Sequence, residues 1–287
     1  MYKSIVTEIV KRQKPKLLLI NASAFSYCNS NLTDEVYLRK WIDNMPMSQN
    51  KLDTVKTIPQ NINKDDEKVK DNISDTLYFP LEKYHGNWKE PEAVYTSFVT
   101  RAYMRLSGGG YLKGFFSKTG ITGGRDNLAN IGQPTKEAYV LTDECRAYLK
   151  ELLSYCNKLG IKHVLLLQPP HETQAADKSG LEQIESITRE YGYDFLDLST
   201  DYESIAGIDD SHDFADFEHL NAYGAQKLSS YIGNLVVNQY GIKSDTTGSE
   251  LSRWEKSVKR TKKALKMARE YTDRGEAQVV GEYEAAK

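Results

Sequence analysis

From Thr142 onward the chain alternates amphipathic helices with short, continuously apolar strands, an order that fits a parallel sheet covered by helices. Tyr148, Leu149, Leu152, Leu153, Cys156 and Leu159 share one face of a helix that opens near Thr142, and Gly160 stops it. The strand Lys162 to Leu167 follows at once. A second helix, about Lys178 to Tyr191, carries Leu181, Ile184 and Ile187 at helical spacing, ends at Gly192 and leads into the strand Tyr193 to Leu198. The next helix, Asn221 to about Asn238, aligns Ala225, Leu228, Ile232, Leu235 and Val236 behind Asn221 as N-cap. At the front, Tyr2 to Gln13 reads as a helix with Ile5, Ile9 and Val10 inward, ahead of the strand Leu17 to Ile20. The expected fold class is α/β.

With 287 residues the chain is long enough for one sizeable core, and one domain plus an insertion is favoured over two full domains. We place an α/β domain at 1–245 with an irregular insertion at about 41–135, and a basic helix and tail at 246–287. Within the insertion, Met47 to Ile58 reads as a helix entered at Ser48, and Asn61 to Asp75 as a solvated charged run. Gly108 to Gly110 and Gly123-Gly124 are turn formers, since no Gly-Lys-Ser/Thr follows at phosphate-loop spacing. Glu250 to Tyr271, rich in Lys and Arg with Trp254, Val258, Leu265 and Ala268 interleaved, reads as a peripheral helix, with membrane-surface contact the lesser alternative.

A net charge of -2, from 38 basic and 40 acidic residues, gives no bulk field to recruit nucleic acid. Cys28, Cys145 and Cys156 are too few and too scattered for a disulfide scaffold or a zinc site, and Cys145 and Cys156 are expected as small packed side chains. No window approaches the roughly 18 apolar residues of a spanning helix, and no signal peptide opens the sequence.

The chemistry concentrates in Asp213-Phe214-Ala215-Asp216-Phe217-Glu218-His219-Leu220-Asn221. Asp216 stands three residues before His219, on the loop expected to feed a helix N-terminus. A carboxylate there is placed to accept the Nδ1 proton and leave Nε2 to take a proton from a nucleophile. The competing reading is a helix cap beside a chance His. Asp213 is a competing carboxylate at a different reach, with His212 beside it, and both are expected as exposed loop residues.

This stretch, continued by Tyr223-Gly224-Ala225-Gln226-Lys227, resembles the DxxH block of the SGNH/GDSL hydrolases, in particular the DltD-like, cell-envelope variety of Gram-positive bacteria. Lys14 to Leu19, Asn44 to Lys51 and Tyr84-His85-Gly86-Asn87-Trp88 also resemble family segments, so the likeness runs from about Lys14 to Tyr240. It implies a three-layer α/β/α, flavodoxin-like fold and a serine esterase or O-acyltransferase acting on acylated envelope glycans or polymers, without cofactor or metal. A membrane-bound acyltransferase is the implied partner, and the cell envelope the implied location. His219 and Asp216 take the roles of base and orienting carboxylate.

The catalytic Ser of that family sits on an N-terminal strand-loop-helix unit, and here the sequence begins on a crossover helix and shows three apolar strands. The expectation is an N-terminally incomplete fold without its Ser block; hidden strands in the middle region are the alternative. Asn21, at the end of its strand, is a candidate oxyanion donor or a turn former. Ser23 and Ser26 follow it as candidate nucleophiles that lack the Gly-Asp-Ser setting. His171, after Gln168-Pro169-Pro170, and His85 and Trp88 in the insertion, are candidate cleft residues; His163 reads as structural. The alternative function is a non-catalytic binding or partner protein.

Overall fold

The computed structural model describes residues 2–26, 35–61, 77–78, 92, 95, 99, 112, 115–124, 139–171 and 177–281. Their elements are, in order, α1 Tyr2–Val10, β1 Leu18–Asn21, α2 Ser23–Ser26, α3 Glu35–Ile42, α4 Gln49–Asn61, β2 Ser117–Lys118, α5 Asp143–Lys158, β3 Val164–Gln168, α6 Ser179–Glu190, β4 Asp194–Asp197, α7 Tyr202–Ala206, β5 Phe214–Asp216, β6 His219–Leu220, α8 Ala222–Asn238, α9 Gly248–Asp273 and β7 Val279–Val280. The class is mixed α/β, with a three-stranded parallel sheet of order β1-β3-β4.

The helices begin and end where the sequence provides for it. Thr142 accepts the Cys145 N–H to cap α5, and Ser48 accepts the Lys51 N–H to cap α4. Gly160 and Gly192 adopt left-handed conformations just beyond α5 and α6, with φ of 69° and 77°, which lets the chain turn sharply into β3 and β4. Central β3 is buried along most of its length, as a strand covered on both faces must be. At β1 burial alternates instead: Leu18 and Ile20 point inward and Leu19 is 49% exposed. An edge strand with one open face replaces the double coverage expected there.

The chain divides into two compact units, 1–94 with 139–166 and 178–195, and 95–138 with 167–177 and 196–287. In the first, α1 packs on α4 and α5. Phe25 packs between the rings of Tyr2 and Tyr148, at centroid distances of 5.7 and 6.2 Å. Cys145 and Cys156 are both buried in α5, but only Cys156 is the packed free thiol expected. Burial pushes its pKa up to about 11, so it stays protonated and unreactive. Cys145 is disulfide-bonded, a correction to its reading as a packing residue.

The second unit holds the hairpin β5–β6, α7, α8, α9 and the antiparallel pair β2–β7. Leu198, Tyr202, Ile208 and Phe214 form one buried cluster, with Leu228 of α8 against it. Ala222, Ala264, Ala268, Leu112 and Val280 form another. The basic C-terminal segment is thus helical as expected, and small residues on its second half lie in a core. Trp254 and Val258, on its first half, are exposed. Among the described residues no helix is long and apolar enough to cross a membrane.

Candidate active site

Asp216 and His219 lie opposite each other across a two-residue hairpin turn, rather than on a loop. β5 and β6 pair antiparallel with Asp216 against His219 and Phe214 against Leu220; one extra residue, Ala215, bulges β5. Directly opposed residues have Cβ atoms about 5 Å apart, so short side chains can meet across the ladder. The Asp216 carboxylate first makes its own turn, Oδ1 accepting the Glu218 N–H at 3.0 Å. The same oxygen then lies 2.7 Å from His219 Nδ1. The hairpin belongs to a two-stranded sheet of its own, separate from the parallel sheet.

A third side chain completes the cluster. Lys118 Nζ donates to Asp216 Oδ2 at 2.8 Å and lies 3.2 Å from His219 Nδ1. It arrives on β2, which pairs with β7 on one side and bridges Asn221 on the other. Nothing around Lys118 in the sequence signals this role; the contact spans 98 residues and depends on the strand pairing.

Burial works to raise the Asp216 pKa, but hydrogen bonds from Lys118, His219 and the Glu218 N–H outweigh it and hold the carboxyl below its ordinary value. Asp216 is therefore ionised at neutral pH. An ionised carboxylate only accepts, so the 2.7 Å contact is a hydrogen bond when Nδ1 carries the proton. In the neutral imidazole that tautomer leaves Nε2 with its lone pair. Among the described residues Nε2 has no hydrogen-bond partner, and the His219 side chain is 46% exposed.

The base of the hairpin is fixed by Asn221, which is fully buried. Its Oδ1 accepts the N–H groups of Tyr223 and Gly224, as an N-cap should. Its Nδ2 donates to the carbonyls of Gly120 and His212, and its N–H to the carbonyl of Asp213. One side chain ties the hairpin exit, two loops and the first turn of α8 together.

Asp213 is not the exposed loop residue expected. It is 0% exposed and takes three donors: Lys227 Nζ at 2.6 Å, the Asp209 N–H at 2.8 Å and His212 Nδ1 at 3.0 Å. Its carboxylate organises the 209–213 turn beneath the hairpin. His212 is half-exposed and packs edge-on against Tyr223, with centroids 4.7 Å apart.

His171 is buried against the turn itself. Its ring lies 5.9 Å from that of Phe217, and Nε2 lies 3.7 Å from Glu218 Oε1. In the other unit, Asn21 Oδ1 accepts the Ser23 N–H at 2.8 Å, the turn-forming use of an Asn before a short helix. Ser23 and Ser26 open and close that helix, α2. His85 and Trp88 lie outside the described residues. Among the described residues no group of three or more His, Cys, Asp or Glu side chains is arranged to hold a metal.

Searches of protein-family models, of curated proteins and of solved structures gave no match to this chain.

Proposed function

We propose that this chain is an SGNH/GDSL-type domain for acyl-ester chemistry, hydrolysing an ester or moving an O-acyl group on an envelope glycan or a related polymer. The observation that carries the reading is the 2.7 Å contact between Asp216 and His219 Nδ1, which leaves Nε2 as an acceptor on an accessible surface. In the reaction proposed, a hydroxyl gives its proton to Nε2 as its oxygen attacks the ester carbonyl. The imidazolium so formed is stabilised by Asp216, and Nε2 returns the proton to the departing alkoxide. Lys118 keeps Asp216 ionised throughout. The three-layer α/β/α arrangement and His171 as a cleft residue belong to this proposal, and no Ser of the described residues is assigned as nucleophile. The disulfide at Cys145 supports an oxidising location such as the cell envelope.

A second reading, a non-catalytic partner of a membrane-bound acyltransferase, is supported by Lys118. It already satisfies Asp216 and crowds Nδ1, as in a purely structural ion cluster.

One experiment separates the two. A chain with a working base and no assigned nucleophile should promote acyl transfer from a p-nitrophenyl ester to an added small alcohol such as glycerol. General base catalysis contributes about 10²–10⁴-fold, so His219→Ala should lose on the order of a hundredfold in the glycerol-dependent rate. Stoichiometric labelling by a serine-directed fluorophosphonate should be absent. Equal rates for wild type and His219→Ala leave the partner reading. Labelling of Ser23 or Ser26 that disappears in His219→Ala instead places the nucleophile within this chain.

A further inference from the structure

Beside the hairpin, in the same unit, lies an open cavity of about 530 Å³ that the acyl-ester reading does not use. One wall is a face of α8: Tyr223, Gln226, Lys227, Ser230, Tyr231 and Asn234 recur at helical spacing and line it. The C-terminal end of α7 forms a second wall, and Arg269 of α9 reaches in opposite α8. A polar helix face is ordinarily solvated and means nothing by itself. Arg269 makes this one different.

The Arg269 guanidinium lies over the Tyr223 ring, 5.0 Å from its centroid. Among the described residues it forms no ion pair, and its Nε is shielded from solvent without a hydrogen-bond partner. The carboxylates nearby are engaged elsewhere: Asp273 accepts the Tyr223 hydroxyl at 2.8 Å, and Asp213 is matched by Lys227. Among the described residues the cavity lining therefore presents the Arg269 guanidinium, with Lys227 as a second cation already paired to Asp213, and no carboxylate, beside two amides and the hydroxyls of Ser230 and Tyr231. Arg in a planar, preset orientation suits phosphate or carboxylate, whereas Gln226, Asn234, Ser230 and Tyr231 suit the hydroxyls of a sugar or polyol. The volume is generous for a bare oxyanion and falls within the range of small-molecule sites.

We propose that this cavity binds an oxyanion carried on a hydroxyl-rich scaffold, a phosphate or carboxylate on a sugar or polyol, with Arg269 as the anchor. Tyr223 positions the guanidinium, and its ring also packs on His212, so the site abuts the turn that supports the hairpin.

The test is calorimetric titration of the full chain with inorganic phosphate, glycerol 1-phosphate, glucuronate and, as neutral control, glucose. Saturable binding of the anionic compounds and none of glucose is expected. Arg269→Gln should weaken it at least about tenfold, as loss of a charge-assisted hydrogen bond does, and Arg269→Lys should retain part of it. Asn234→Asp, at an exposed position that leaves packing intact, should weaken it similarly by supplying an internal anion. Tighter glycerol 1-phosphate assigns the site to a phosphate-bearing ligand, tighter glucuronate to an acidic sugar. No saturation with any anion, equal binding of glucose, or binding unaffected by both Arg269→Gln and Asn234→Asp overturns the proposal.

Discussion

Asp213→Ala is expected to lower the unfolding free energy by about 3 kcal/mol, more than any change in the Asp216–His219 pair itself. The carboxylate is fully buried and takes donors from Lys227, His212 and the Asp209 N–H. Removing one member of a buried ion pair costs roughly 3–5 kcal/mol, because the partner is left uncompensated. The lower end applies, since Lys227 is half-exposed and can turn toward water. Asp213→Asn keeps the shape and an acceptor and should cost about half as much. Urea unfolding of the two variants measures this; an Asp213→Ala change within about 0.5 kcal/mol of zero would refute the buried-anchor account.

Gly224→Ala is the second large effect, and it runs against helix propensity. Gly224 lies in the first turn of α8, where Ala would ordinarily gain about 1 kcal/mol over Gly. Here a Cβ would meet the Asp213 carbonyl oxygen at 2.5 Å, with Asp213 Cβ and a Leu220 methyl each at 2.9 Å. The nearest atom is backbone and cannot swing aside. Overpacking of this kind costs roughly 1–3 kcal/mol and occasionally more, so net destabilisation of about 2 kcal/mol is expected. The strain falls on Asp213 and Leu220, so the Asp216–His219 cross-strand contacts should weaken as well, visible as altered amide shifts for β5 and β6. A Gly224→Ala protein as stable as wild type would mean that α8 does not press on the Asp213 turn.

Local signals in the sequence located α5, α6 and α8, because capping and stop residues act over a few positions: Thr142, Gly160, Gly192 and Asn221 all sit where they were expected to act, whereas the short α2, α3 and α7 were not foreseen. The Asp216–His219 pairing was legible for a related reason. Three residues is the separation that a two-residue hairpin turn brings face to face, although the sequence suggested a loop rather than a hairpin. Lys118 was not legible. Its place beside Asp216 depends on β2, two residues long, pairing with β7 and bridging Asn221, and no periodicity exists in a strand that short. Asp213 was misjudged as exposed because an acidic residue in a polar loop normally faces water; its three donors come from a neighbouring residue, a backbone turn and α8, 14 positions on. The one open face of β1 escaped for a similar reason: strand position in the sheet decides coverage, and Leu17 to Ile20 reads as buried on either side.

The tautomer of His219 decides whether the cluster can act as a base. Two arrangements compete for Nδ1: donation to Asp216 at 2.7 Å, or acceptance from Lys118 at 3.2 Å. Only the first leaves Nε2 free to take a proton. Long-range ¹H–¹⁵N correlation spectra of the histidine side chains, recorded at a pH where His219 is neutral and assigned with His219→Ala, report it directly. A protonated Nδ1 and a bare Nε2 are expected for His219, shifting toward a mixture in Asp216→Ala. A protonated Nε2 with Nδ1 accepting from Lys118 would contradict it and leave the cluster a structural ion network.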